Sequence, residues 1–376
     1  MFSLLSSEFI LILVWIGFVA IVARFFKVTK KESVIGYDGE VERYYWLFAF
    51  VAFLPIIIMT ANRSIYLFDT GSYYDRFNHM PVGLGEIGDY LEKYTKDKGF
   101  SIFSIIIKTY ITSDAKLYFF IIALIQGLCL VGVYRKYSSQ YVLSISLFIL
   151  STEYIAWMYN GLRQFLAACI IFAATSLLLK KKYTKYVPII LLIVFASYFH
   201  QSALIVIPFV FLIQGKAWNK KTLLFILLTL LAILFVGEFT NLLDSALSDT
   251  QYSNVVTDYS SNGLGGTHPL RVLLYSIPTI IAFLGRKKIQ TTKDTIINLC
   301  VNASLISTGL YVISMFTSGM FLGRLPIYMS LYNYILLPWE IDHIIPEKYR
   351  NIAYIILILI YCVFYYFQMS ITWGLF

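Results

Sequence analysis

The sequence predicts an all-α polytopic membrane protein, and three observations carry that prediction. Of 376 residues, 59% are hydrophobic and only 14% charged, against about 45–50% and about 25% in soluble domains. Apolar runs recur along the whole chain, and the mean hydropathy is +0.73. The basic residues between the runs cluster in alternate loops. Together these exclude a soluble globular enzyme, a disordered chain and a disulfide-stapled secreted domain. A formal charge of +9 would suggest nucleic acid in a soluble protein. Here the positive-inside rule accounts for it, and no nucleic-acid partner is expected.

The runs lie at 4–26, 44–61, 117–134, 141–158, 162–179, 187–199, 201–214, 222–239, 270–284, 295–316, 325–339 and 352–372. They predict about 12 transmembrane or half-spanning helices, at roughly 20 residues for a full span, in a single membrane domain over 1–376. The first run, Leu4 to Phe26, is too long for a signal-peptide core and has no small-residue cleavage site before Arg24, so it reads as a retained span. Cys129, Cys169, Cys300 and Cys362 all lie inside apolar runs, without CxxC spacing or a neighbouring histidine. They read as small apolar filler.

Charge sets the orientation. One set of loops carries Arg24, Lys27, Lys30, Lys31 and Arg43; Arg135 and Lys136; Lys180 to Lys182 and Lys185; Lys216, Lys220 and Lys221; Arg286 to Lys288 and Lys293; Lys348 and Arg350. These loops are expected to be cytoplasmic, with both termini outside. The pattern requires two crossings between 187 and 214, because one long helix would put Arg286, Lys287 and Lys288 outside. Each crossing then has only about 13 residues, too few for a full span, so the sequence predicts a short hairpin hinged near His200. Two outer loops are long. Within 62–116, the stretch Gly99 to Lys108 suits an interfacial or re-entrant helix. The loop 240–269 is rich in Ser, Asn, Asp and Gly and reads as a lid.

Basic residues left outside are informative, because orientation selects against them. Beyond Lys93, Lys96, Lys98, Lys108 and Lys116, they are Arg63, Arg76, Arg163, Arg271 and Arg324. Arginine grips phosphate oxygens with a planar fork and keeps its charge in a dry site. Arg163 and Arg324 are expected at the start of helices, where the dipole also favours an anion. Snorkelling explains any one arginine, but explains all five poorly. They point to a bound polyanion near the outer leaflet.

An unperturbed histidine changes charge near neutral pH, and His200 sits at the hinge, which makes it a candidate general base; satisfied hydrogen bonding is the plainer alternative. Asp69 and Asp75 lie among aromatics in Leu67–Phe77, and suit either sugar hydroxyls or ordinary solvation. Glu153 stands inside an apolar run, where an acid is a functional candidate, and could pair with Arg163. His79, His268 and His343 do not cluster, so no metal site is expected. No P-loop, HExxH or GxSxG occurs, so any reaction outside the cell needs a donor already activated in the membrane.

Asn160-Gly161-Leu162-Arg163-Gln164, then a lysine-rich loop, then Phe199-His200-Gln201-Ser202-Ala203-Leu204, resembles the EpsG family of Wzy-type polysaccharide polymerases. Phe68-Asp69-Thr70-Gly71-Ser72-Tyr73-Tyr74 and Lys98-Gly99-Phe100 are similar to that family's first outer loop. Asp97-Lys98 stands where an acidic-Pro pair often precedes the Gly-aromatic step. The matches keep their order over about 65–210.

The resemblance implies a fold similar to GT-C-type membrane glycosyltransferases and a metal-independent enzyme without cofactor. It implies a polymerase in a bacterial cytoplasmic membrane, its active site facing outside. That enzyme joins undecaprenyl-pyrophosphate-linked oligosaccharides with inversion at the anomeric carbon and releases lipid pyrophosphate. On this view Arg163, Arg271 and Arg324 bind pyrophosphate, His200 is the base and Asp69 the second candidate. Gln164, Arg63, Arg76, Asp75 and Glu153 are secondary substrate contacts. An O-antigen-ligase-like transferase and a lipid-linked oligosaccharide flippase are the alternatives. The sequence leaves open whether a chain-length regulator protein is a partner.

Overall fold

The computed structural model describes residues 2–94, 96–247, 265–319 and 321–375. It is built from helices. Three are long and apolar enough to cross a membrane, Ala115–Tyr137, Thr295–Met315 and Glu347–Thr372, and the number is five if each of two bent pairs is one span. The expected all-α membrane class is what the described residues form. One feature departs from it: a short antiparallel hairpin, β1 (Thr29–Ser33) with β2 (Glu40–Tyr44), in register from Thr29 opposite Tyr44. Gly36 and Gly39 take positive φ of 106° and 103° in its turn, conformations open mainly to glycine.

Contacts divide the chain into two units, residues 1–35, 39–204 and 357–376 in the first, and 36–38 and 205–356 in the second. In the first, α1 (Phe2–Phe25) and α2 (Trp46–Ala61) are joined by a bond from Trp15 Nε1 to the Ala52 carbonyl at 3.1 Å. The segment expected at 62–116 holds three helices: α3 (Thr70–His79), α4 (Ile87–Lys93) and α5 (Lys98–Tyr110). The last covers the stretch for which an interfacial or re-entrant helix is expected, and it is helical. Lys108 Nζ fixes α5 to the end of α3 by donating to the carbonyls of Phe77, Asn78 and Met80 at 2.9, 2.7 and 2.6 Å, acceptors that a helix C-terminus leaves unsatisfied. Next comes α6 (Ala115–Tyr137), which approaches α2 closely at Gly127, where an added Cβ would lie 2.6 Å from Ile57 Cδ1.

The run expected at 141–158 is not one helix. It is α7 (Tyr141–Leu150) and a π-helical segment (Tyr154–Asn160), bent by 69°. Thr152 at the bend has φ +64°, an outlier for a β-branched residue. Then follow α8 (Leu162–Ala173), α9 (Thr175–Leu178) and α10 (Tyr186–Ser197). The chain breaks after Ser197, resumes as a 3-10 turn at Gln201–Ile205, and continues into α11 (Val206–Leu212). The break falls where the charge pattern requires one.

In the second unit, α12 (Lys220–Leu234) and α13 (Val236–Leu247) form another bent pair, and α13 occupies residues from 240 where a loop is expected. The rest of that expected lid, 248–264, lies outside the described residues. Thr295–Met315 is held against Pro269–Leu284 by Thr279 Oγ1, which meets the hydroxyls of Ser304 and Thr308, each at 2.7 Å. Hydroxyl pairs of this kind join helices in lipid, where apolar burial supplies little drive. The run expected at 325–339 is two shorter helices, Ile327–Ser330 and Asn333–Ile344.

Candidate active site

Three separated stretches of the first unit meet at Asp97. Asp97 precedes α5 in the left-handed conformation, φ +51°, an uncommon state for a residue with a Cβ. Its carboxylate does not cap α5. Instead Oδ2 accepts from Arg163 Nη1 at 2.6 Å, and Oδ1 accepts from the Gln201 backbone N–H at 3.3 Å. The Tyr198 carbonyl accepts from the N–H groups of Gly99 and Phe100 at 2.9 and 3.3 Å. Gly99 is required for that approach, since a Cβ there would lie 2.5 Å from Tyr198 Cβ and 2.9 Å from its carbonyl oxygen. The hinge at Tyr198–Ser202 is thereby docked on the start of α5, and α5 on Arg163.

Arg163 is in the first turn of α8, whose N-cap Gly161 offers no side-chain cap. Gly161 also lets Trp157 pack tightly, because a Cβ would meet Trp157 Cε3 at 2.6 Å. The Arg163 side chain is 27% exposed and that of Asp97 is 3% exposed. The arginine therefore has one edge on a buried acid and part of its surface open. Its Nε donates to the Tyr73 hydroxyl at 3.3 Å. Burial pushes the Asp97 carboxyl above its ordinary value, with the Arg163 charge and the Gln201 N–H pulling it back. His200 is half-buried at the hinge, with Nδ1 2.7 Å from Ser202 Oγ.

The other expected residues are placed as follows. Arg63 is 8% exposed, bonds the Met158 carbonyl through Nη1, and lies over the Phe119 ring at 4.1 Å. Arg76 donates to Tyr90 and Ser101 hydroxyls at 3.2 and 2.8 Å and so braces α4 and α5. Asp69 and Asp75 are exposed on α3 and its N-cap. Gln164 is buried in α8. Glu153 is buried at the strained bend beside Thr152, while the acid paired with Arg163 is Asp97. Arg271 and Arg324 belong to the second unit. Arg271 is near the start of Pro269–Leu284, with its guanidinium 5.6 Å from the Tyr275 ring centre. Arg324 ends a 3-10 turn, Leu322–Arg324, and does not open a long helix.

Asp97 is the residue that the sequence did not single out. The signal was present, because the acid of the expected acidic-Pro pair is retained and only the proline is replaced. Its partner lies 66 residues away, beyond any local pattern. No curated protein and no solved structure matches the chain. A family model, that of the EpsG family, matches residues 45–373. That match spans both units and all three stretches that meet at Asp97, and the chain belongs to the EpsG family.

Proposed function

We propose that this membrane protein is a polysaccharide polymerase. It joins undecaprenyl-pyrophosphate-linked oligosaccharide repeat units on the outer face of a bacterial cytoplasmic membrane, with both chain termini outside. Membership of the EpsG family supports the reaction class. The observation that carries the site assignment is the meeting of Arg163, Asp97 and the His200-Gln201 hinge.

In this reaction the acceptor sugar hydroxyl attacks the anomeric carbon of the lipid-linked chain. The bond to the pyrophosphate oxygen breaks, and its electron pair leaves with that oxygen. The hydroxyl proton goes to His200, where a proton on Nδ1 donated to Ser202 puts the basic lone pair on Nε2. Charge developing on the pyrophosphate is met by Arg163 and by the uncapped start of α8. Asp97 is a positioning residue: its buried carboxylate fixes one edge of the guanidinium. A single displacement inverts the anomeric centre. Arg271 and Arg324 are further candidates for pyrophosphate contact, Asp69 is the second candidate base, and Gln164, Arg76, Asp75 and Glu153 are secondary sugar contacts. No metal or cofactor enters the scheme.

The test is reconstitution with a lipid-pyrophosphate-linked repeat unit, with products resolved by size. A ladder of repeats that disappears in Arg163→Ala and His200→Ala, both still folded, is the expected result. Near-normal chain length in Arg163→Ala would refute the assignment. A single addition to a different acceptor would identify a ligase instead.

A further inference from the structure

Charge in the first unit is distributed unevenly among its arginines. Arg163 is offset by Asp97 at 2.6 Å, and Arg76 spends its donors on Tyr90 and Ser101. Arg63 is satisfied only in part, by one bond to the Met158 carbonyl and by two aromatic rings. Among the described residues no acid pairs with it, and its Nε and Nη2, both buried, find no hydrogen-bond acceptor. A buried cation without a counter-ion is among the most costly arrangements in a protein, and an anion on those two donors would relieve that cost.

The unsatisfied atoms are informative. Nη1 is used on the Met158 carbonyl, which leaves Nε and Nη2 together as one edge of the fork. That edge is the planar pair of donors that grips two oxygens of one phosphate. The aromatic rings of Phe119 and Tyr159, 4.1 and 5.5 Å from the guanidinium carbon, hold the group in place. Burial lowers its basicity to about 10, so it stays charged at neutral pH.

The location is equally specific. Met158 and Tyr159 belong to the π-helical segment that runs through Gly161 directly into Arg163. Tyr73 is common to both surroundings: its hydroxyl accepts from Arg163 Nε, and its phenol is within electrostatic reach of Arg63. Two cations therefore sit at one elbow, one already neutralised and one not.

We propose that Arg63 is the principal anion-binding cation of this elbow, and that a diphosphate group bridges Arg63 and the open side of Arg163, one phosphate to each. Tyr73 is the side chain that turns aside to admit it. The polymerase reading supplies the lipid identity of that diphosphate; the two-phosphate recognition stands on Arg63 itself.

The test is calorimetric titration of the purified protein with farnesyl diphosphate, farnesyl monophosphate and inorganic pyrophosphate. The wild type is expected to bind farnesyl diphosphate at least tenfold more tightly than the monophosphate, and Arg63→Met to bind the two alike. Arg63→Lys keeps charge without the two-donor edge and should retain only part of the preference. Thermal unfolding without ligand supplies the control: Arg63→Met should unfold no earlier than the wild type, whereas a purely structural arginine would lower the midpoint and leave the preference intact. Pyrophosphate binding as tight as farnesyl diphosphate would make the free anion the ligand; much weaker binding would make it a lipid headgroup. A wild type without the preference, or Arg63→Met that keeps it, overturns the proposal. Should Arg63→Met not fold, the wild-type comparison and Arg63→Lys decide. A wild type that shows the preference, loses it in Arg63→Met and yet never extends a glycan would leave the diphosphate site standing and remove the polymerase reading.

Discussion

Two corners of the first unit use arginine in opposite ways. Where β2 meets the end of α6, Arg43 donates to the Lys136 and Glu42 carbonyls, each at 2.7 Å, and Arg135 donates to the Tyr44 carbonyl at 2.7 Å and to Glu32. These guanidinium groups close on backbone oxygens and stitch the hairpin to a helix. At the other corner, Arg163 meets one buried carboxylate and keeps 27% of its side chain exposed. Arg63 keeps two buried donors unused. In the proposed topology the first corner is cytoplasmic and the second faces outside. The difference lies in the acceptors: Arg43 and Arg135 each tie one element's backbone to another, whereas Arg163 faces a buried carboxylate and stays partly exposed.

The comparison breaks most visibly at Arg163. Arg163→Ala should abolish chain extension and also leave Asp97 as a buried carboxylate without its cation. Asp97 is already raised from its ordinary value of 3.8, and losing Arg163 raises it further. A raised carboxyl favours the fold in its protonated form. That contribution is complete below the ordinary value and is lost as pH rises through the folded-state value. Arg163→Ala should therefore lose more stability at pH 8 than at pH 5, and adding Asp97→Asn should remove the difference. Thermal unfolding across that range checks it; a pH-independent loss would contradict it.

Gly99→Ala tests the docking of the hinge. The new Cβ would overlap Tyr198, and overpacking of this kind costs about 1–3 kcal/mol. Chain extension should fall roughly tenfold, on the scale where 1.4 kcal/mol is one decade, even with Arg163 and His200 intact. Unchanged turnover would mean that the hinge need not touch α5.

Arg135→Gln addresses the other corner. It should lower stability by about 1.5–3 kcal/mol, the range for hydrogen bonds to charged groups. Turnover of the folded fraction should be unaltered. Lys108→Met is expected to cost least, about 1 kcal/mol, because the carbonyls it caps at the end of α3 can hydrate. A turnover defect in Arg135→Gln, at equal folded protein, would erase the distinction between the corners; thermal unfolding checks the loss in Lys108→Met.

Much of the fold is legible from hydropathy and charge, and the hinge near His200 is the best case. No local signal breaks 187–214, yet the sign of Arg286, Lys287 and Lys288 requires a second crossing, and the chain does break there. Other breaks were hidden because Thr152 and Phe235 sit inside apolar runs, where hydropathy cannot register a bend. The hairpin was obscured by charge: Glu40-Val41-Glu42-Arg43-Tyr44 alternates, but lies in a basic loop that reads only as a topology marker. Arg163 and His200 were legible as polar residues at helix ends, and the structure puts them there. Asp97 was not, because its meaning depends on a partner brought to it by three helices and a hinge.

The most direct test of the central claim is a double-mutant cycle on chain extension with Asp97→Ala, Arg163→Ala and the double variant, each at equal folded protein. Residues that act as one unit are not additive. The pairing at 2.6 Å predicts that the double variant is no worse than the poorer single variant. Losses that multiply would show that Asp97 and Arg163 act independently, and would contradict the site described above.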